Sequence, residues 1–153
     1  MYKSILVPFD NSAHSKKALA SAIELARVLD AQVTALSVSD LPDFEDPAYE
    51  VAVRLAVMEP PTAEQKSQMQ RAYYAAQKDA LVKNTAEIVG DFENIQYRAT
   101  AGKAHVVINE FAESGNYDLI IMGCRGLTAL RGALGSVSYA VMRSVDIPVM
   151  IVH

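Results

Sequence analysis

The chain has 153 residues, of which 51% are hydrophobic and 21% are charged, so it is long enough to bury the core of one domain. Its 18 acidic and 14 basic residues are spread along the chain, and this net charge of −4 excludes the basic stripe that a nucleic-acid partner requires. The single cysteine, Cys124, excludes an internal disulfide and a thiolate metal cluster built from one chain. We therefore expect one domain over residues 1–153, with no nucleic acid as partner.

The first predicted element is a buried strand over residues 4–9. It is an aliphatic run that ends at Pro8 and the following polar residues, which predict a turn. The apolar stretch is too short for a signal-peptide core or a membrane span. We therefore expect a cytoplasmic protein with no membrane partner.

A helix is predicted next, because apolar residues recur at three- and four-residue steps from Leu19 to Leu29. Ser12 is placed to cap its amino terminus. The β-branched run over residues 31–38 predicts the second strand, and the order strand, helix, strand requires a right-handed parallel crossover.

Residues 39–61 contain four prolines and an acidic cluster, so we interpret them as a long excursion between the second strand and the second helix. The apolar island at 51–58 predicts a short helix packed over the fold, with an exposed partner surface as the alternative. Thr62 and Gln65 have the spacing of a capping box, which predicts a long helix from there to about Val89.

The rest of the chain continues the alternation of strands and helices. Strands are predicted over 94–99, 118–122 and 147–152, and helices over 104–113 and 136–144. Five strands alternating with four helices predict an α/β fold with a doubly wound parallel sheet and helices on both faces.

The loop after the fourth strand carries glycines at both ends, Gly123 and Gly126 before it and Gly135 after it. Glycine lets the backbone approach a ligand closely, and the free N–H groups of the helix that begins near Ser136 attract an anion. Because ligands of parallel sheets bind beyond the carboxyl ends of the strands, this pattern predicts a phosphate-binding loop. The alternative is that the glycines serve only the turn and helix packing. A Walker loop and a dinucleotide fingerprint are both excluded, since neither motif is present.

At this loop, and in its order of motifs from end to end, the sequence resembles the ATP-binding branch of the universal stress protein family. The matching segments are residues 5–12, the 118–123 strand, the Gly135-Ser136 step and the 147–152 strand. That branch has nine residues before the last glycine, whereas eight residues separate Gly126 from Gly135 here. The resemblance implies a five-stranded sheet of order 3-2-1-4-5, like that of the adenine-nucleotide α-hydrolases.

The same resemblance implies that ATP or AMP binds beyond the strand ends, with Mg²⁺ as a further expected ligand. Adenine would face Asp10, beside Phe9, and the backbone near Val38. The ribose would lie near Pro8, Met122 and Gly123, and the phosphates would meet Gly126, Gly135, Ser136, Val137 and Ser138. Asp10 could instead cap a helix beside Ser12, and Val38 could be only the last core residue of its strand.

Arg125 lies inside the loop, where its guanidinium could pair with phosphate oxygens, as could that of Arg131; the alternative is an exposed loop arginine. No carboxylate pair, triad or strong general base can be assigned, so we expect no catalytic residues and at most slow ATP hydrolysis.

The resemblance also implies a homodimer through the last strand, with Ile147, Val149 and Ile151 at the sheet edge. An uncovered apolar edge strand is prone to aggregation, which favours the same interpretation. Two functional alternatives remain: a dimeric stress-response interaction module without nucleotide, and an enzyme that adenylates a substrate.

Overall fold

The computed structural model describes residues 1–39, 47, 51, 54–56, 59, 61–114, 116–126 and 134–153. Within these ranges, strands and helices alternate as predicted. The strands are β1 (Ser4–Pro8), β2 (Gln32–Ser39), β3 (Ile95–Ala101), β4 (Leu119–Gly123) and β5 (Val149–Val152). The helices are α1 (Ala13–Leu29), α2 (Ala63–Val89), α3 (Ala104–Glu113) and α4 (Ser136–Ser144).

The strands form one parallel sheet in the order β3-β2-β1-β4-β5, which confirms the predicted fold class. Ile5 of the central strand is paired with Val33 on one side and with Leu119 on the other. The chain winds one way from β1 to β3 and the other way from β4 to β5. The carboxyl ends of β1 and β4 therefore flank the switch point at which such sheets bind ligands.

Each face of the sheet packs against two helices, and so the core has two layers. Ile5 and Val7 point towards α1 and α2, whereas Leu6 between them points towards α3 and α4. All five residues of β4 are buried, as a parallel strand covered on both faces requires.

Both predicted helix caps are present. Ser12 Oγ accepts a hydrogen bond from the Ser15 N–H at 3.1 Å. Thr62 Oγ1 accepts from the Gln65 N–H at 3.2 Å, and Gln65 Oε1 accepts in return from the Thr62 N–H at 2.8 Å. The capping box thus begins α2, a helix whose buried residues, Leu81, Thr85 and Val89, all lie in its last third.

The last strand is shorter than predicted, because it begins at Val149 and not at Ile147. Pro148 has no N–H to donate and contributes only its carbonyl, which accepts from the Ile120 N–H at 3.0 Å. β5 is an edge strand, as predicted, but Val149 and Ile151 pack against the core layer under α3 and α4.

Two expectations concern segments with little structural description. In the 51–58 island, Val51, Leu55 and Ala56 are exposed, and the other apolar residues of the predicted short helix, at 52, 53, 57 and 58, lie outside the described residues. Over the described part of the chain, none of the helices combines the length and the hydropathy needed to cross a bilayer.

Candidate functional site

A cleft of about 840 Å³ opens at the carboxyl ends of β1, β2 and β4. This volume is in the range of small-molecule binding sites. The twelve site residues predicted from the sequence all line it: Pro8, Phe9, Asp10, Val38, Met122, Gly123, Arg125, Gly126, Gly135, Ser136, Val137 and Ser138. The fold therefore brings together the segments after β1 and β4 with the end of β2, while their contact with a nucleotide stays a prediction.

The amino terminus of α4 forms one end of the cleft. Gly135 is its N-cap residue, and because glycine has no side chain, no side-chain hydrogen bond caps the first turn. The first N–H groups of a helix have no intrahelical acceptor, and the helix dipole makes this end attractive to an anion. Ser136 and Val137 therefore offer backbone donors to the cleft.

The two ends of the glycine loop are held together by a backbone hydrogen bond from the Gly135 N–H to the Cys124 carbonyl, 2.7 Å long. A Cβ on Gly135 would lie 3.3 Å from Arg125 Cα and 3.7 Å from the Gly126 nitrogen, so the backbones approach closely here. The eight-residue spacing thus still places Gly126 beside Gly135. Residues 127–133, with Arg131 among them, lie outside the described residues.

Gly123 has a role in helix packing, which the sequence allowed as the alternative to phosphate binding for the glycines of this loop. A Cβ on Gly123 would lie 2.7 Å from the backbone carbon of His14 and 2.9 Å from the Ser15 nitrogen, so only glycine lets β4 end this close to α1. The Gly123 carbonyl accepts a hydrogen bond from the buried Ser138 Oγ at 2.8 Å. The Ser138 hydroxyl therefore ties α4 to β4, and its donor is not available to a phosphate.

Asp10 is an exposed residue of the cleft lining, two positions after the end of β1. Its Oδ1 accepts from the Ser12 N–H at 3.0 Å, which fixes the turn before α1, while Ser12 itself is the N-cap. Its Oδ2 lies beside Gly126. One oxygen thus supports the turn, and the other faces the cleft as an acceptor.

Helix α2 supplies a wall of the cleft that was not predicted. The lining residues Gln77, Ala80, Leu81 and Asn84 recur at the i, i+3, i+4 and i+7 positions of a single helix stripe. In the sequence, this wall could have been suggested by Gln77 and Asn84, the two amide residues at the ends of the stripe. Such residues are equally typical of a solvent-exposed helix face. Ser37 and Ser39 of β2 line the cleft as well.

The charged groups among the described lining residues are Asp10 and the half-buried Arg125. Within the described residues, no group of three or more histidine, cysteine or acidic side chains is placed to hold a metal ion. The arrangement offers one carboxylate, one guanidinium and a set of backbone N–H donors, which suits a polar anionic ligand.

Comparison with known proteins gives the same family along the whole chain. The family model for the universal stress protein family matches residues 1–153. The universal stress protein MJ0531 of Methanocaldococcus jannaschii is 33% identical over 99% of this chain and 82% of its own.

Solved structures have the same fold. The hypothetical protein MJ0577 superposes with a TM-score of 0.72 at 25% identity, over 99% of this chain and 96% of its own. A universal stress protein in complex with cAMP has a TM-score of 0.65 at 22% identity, over 99% and 97% of the two chains. One from Archaeoglobus fulgidus in complex with dAMP has a TM-score of 0.60 at 17% identity, over 99% and 98%.

Proposed function

This chain belongs to the universal stress protein family, and on that premise we propose that it is a stress-response protein that binds ATP or another adenine nucleotide in the cleft. The observation that carries the proposal is the first turn of α4, which lacks a side-chain cap and opens beside Gly126 and Gly135. The cAMP and dAMP held by two structures of the same fold support an adenine nucleotide as the ligand.

In the proposed complex, the phosphates accept hydrogen bonds from the N–H groups of Ser136 and Val137, with the Arg125 guanidinium beside them. The ribose lies over Pro8 and Met122. The base extends towards Val38, at the end of β2. Phosphate oxygens bring Mg²⁺ with them. The resemblance implies that Asp10 faces adenine, but its Oδ2 lies beside Gly126, and we therefore assign its carboxylate to the phosphate end, where it could complete the coordination of Mg²⁺.

The proposed role is regulatory: nucleotide occupancy changes how a cytoplasmic homodimer associates with its partners. The backbone edge of β5 supports the dimer, because β5 pairs only with β4 in the described sheet. Ile147, Val149 and Ile151 are partly buried against the core under α3 and α4, and their exposed parts remain available to the proposed contact. A sedimentation mass of one chain at micromolar concentration would contradict the dimer.

The first test is mass spectrometry of nucleotides released when the purified protein is denatured, followed by calorimetric titration with ATP and Mg²⁺. The decisive variant is Ser136→Pro, which removes the first N–H of α4. Proline is favoured at the first helical position, and the backbone of Gly135, at φ −61° and ψ 150°, suits the residue before a proline. We expect ATP affinity to fall about tenfold, since hydrogen bonds to charged groups are strong.

Two controls make this result specific to the phosphates. Ala63→Pro places the same residue at the first position of α2, outside the cleft lining, and should leave ATP affinity unchanged. Adenosine, which has no phosphate, should bind the Ser136→Pro variant as well as it binds the wild type. If Ser136→Pro binds ATP normally, the phosphates do not meet α4.

The second candidate is a dimeric interaction module that binds no nucleotide. It is favoured by Ser138, whose hydroxyl is committed to the Gly123 carbonyl. A purified protein that releases no nucleotide and ignores added ATP would support this alternative and refute nucleotide binding.

A further inference from the structure

Gln77 carries a buried acceptor without a partner. Its Oε1 is one of two buried side-chain polar atoms that have no hydrogen-bond partner in the described parts of the chain; the other is Asn109 Oδ1. Gln77 lines the cleft, and Asn109 is not among the described lining residues. An unpaired buried acceptor destabilises the free protein, and a ligand with a donor at that place removes the penalty.

The orientation of the Gln77 amide is set by Tyr73, one turn earlier in α2. Gln77 Nε2 donates a hydrogen bond to the Tyr73 hydroxyl at 3.1 Å. This bond uses one of the two N–H donors of the amide nitrogen, and the carbonyl oxygen is the amide atom without a partner among the described residues. Gln77 therefore favours a ligand that donates at this point over one that accepts.

Gln77 lies at the end of the cleft opposite α4. Helix α2 packs on β3 and β2, whereas the loop before α4 follows β4, on the other side of β1. With the phosphates of the proposed nucleotide at α4, the base reaches the α2 side. Ala80, one turn after Gln77, is small and leaves room for a flat ring at this wall.

From these observations we propose that Gln77 is a specificity-determining residue that accepts a hydrogen bond from the exocyclic amino group of adenine. The inference rests on the proposed nucleotide binding and adds the chemical reason for its base preference. A purine with a carbonyl in place of the amino group would bring two acceptors together, and would therefore bind more weakly.

The test compares three ligands by calorimetry: ATP, inosine triphosphate with a carbonyl in place of the amino group, and purine riboside triphosphate with neither. Gln77→Met removes the acceptor at nearly constant volume. We expect ATP affinity to fall about fivefold, the worth of one neutral hydrogen bond, while purine riboside triphosphate binds as before. The preference for ATP over both analogues should shrink accordingly.

Gln70→Met is the matched control, because Gln70 makes the same kind of bond from the same helix. Its Nε2 donates to the Tyr74 hydroxyl at 3.2 Å, at an exposed site that is not among the described lining residues. This variant should leave all three affinities unchanged. Thermal stability separates the two glutamines further. Each methionine variant loses one hydrogen bond to a tyrosine, but Gln77→Met also removes an unpaired buried acceptor, which offsets the loss of its bond to Tyr73.

Tyr73→Phe tests the same idea without changing Gln77. Releasing the amide lets it rotate and offer its N–H group, so affinity for inosine triphosphate should rise relative to ATP. Two results would overturn the inference and leave nucleotide binding intact. One is that Gln77→Met does not change the ratio of the affinities for ATP and purine riboside triphosphate. The other is that Tyr73→Phe does not change the ratio of the affinities for ATP and inosine triphosphate. A wild type that binds none of the three ligands overturns both proposals.

Discussion

The carboxylate of Asp10 occupies the space that a side chain on Gly126 would need, since a Cβ on Gly126 would lie 2.6 Å from Asp10 Oδ2. The other carboxylate oxygen is held by the Ser12 N–H at 3.0 Å. The segment after β1 and the segment after β4 therefore meet at this pair. The effect of substituting one of these two residues on stability should therefore depend on which residue occupies the other position.

Gly126→Ala should displace the Asp10 carboxylate without unfolding the protein, because the obstructing atom is the end of an exposed side chain. In an Asp10→Ala background the same substitution meets no carboxylate and should cost less. We expect an interaction free energy of about 1 kcal/mol between the two sites. Urea unfolding of the wild type, both single variants and the double variant measures it, and strictly additive effects would contradict the contact.

Gly123→Ala should behave differently, although it lies only three residues earlier. The atoms in its way belong to the backbone of His14 and Ser15 and cannot rotate aside. We expect a loss of unfolding free energy of about 1–3 kcal/mol, typical of overpacking in a tight core, whether or not nucleotide is present. A variant as stable as the wild type in urea would show that β4 and α1 are less closely packed.

Ser138→Ala should destabilise the fold by about 1–3 kcal/mol, because it leaves the buried Gly123 carbonyl without its 2.8 Å hydrogen bond. Ser144→Ala is the control in the same helix. Ser144 Oγ donates to the Ala140 carbonyl at 2.9 Å from an exposed position, where a substitution should change stability by less than about 0.5 kcal/mol. Equal effects of the two changes in urea unfolding would contradict the anchoring role of Ser138.

The Arg27 guanidinium lowers the pKa of Asp91 below its ordinary value of 3.8, first through a hydrogen bond and then through its charge. A carboxyl whose pKa is lower in the folded state stabilises the fold above its unfolded pKa, and that contribution disappears as the pH falls through the folded pKa. Because Asp91 is exposed, solvent keeps the effect small.

Arg27→Met should therefore return the pKa of Asp91 towards 3.8 and reduce its acid-dependent contribution to stability. An NMR titration of the Asp91 carboxyl reads the shift directly. Arg143→Met is the control, since Arg143 pairs with Tyr139 and should leave Asp91 unaffected. An unmoved Asp91 titration in Arg27→Met would mean that the ion pair does not form in solution.

Much of the fold could be predicted because its signals are local. The caps at Ser12 and Thr62 depend on residues within one turn, and the buried β4 strand is apolar throughout. The start of β5 was misplaced because the apolar pattern continues through Ile147 and Pro148. Proline has no N–H for the sheet, and the effect of this on strand pairing depends on the neighbouring strand, which the sequence does not identify.

The candidate site was predictable only in part. The segments after β1 and β4 end their strands, and parallel strands direct such ends to one edge of the sheet. The α2 wall was not predictable, because the face of a long helix that meets the cleft depends on how the helix packs across β2 and β3. Ser138 lines the cleft, but three-dimensional packing turns its hydroxyl to the Gly123 carbonyl, and no local pattern in the sequence indicates that bond.

The hydrogen bond between Cys124 and Gly135 joins the two ends of the glycine loop. The positions of the glycines at these ends therefore do not depend on how many residues lie between them. Going from nine residues to eight changes the entropy of loop closure by only about 0.1 kcal/mol. With both ends clamped, a deletion or insertion between Gly126 and Gly135 need not move either glycine. Variation in the number of residues between the two glycines is therefore compatible with one fixed arrangement of the pair beside α4.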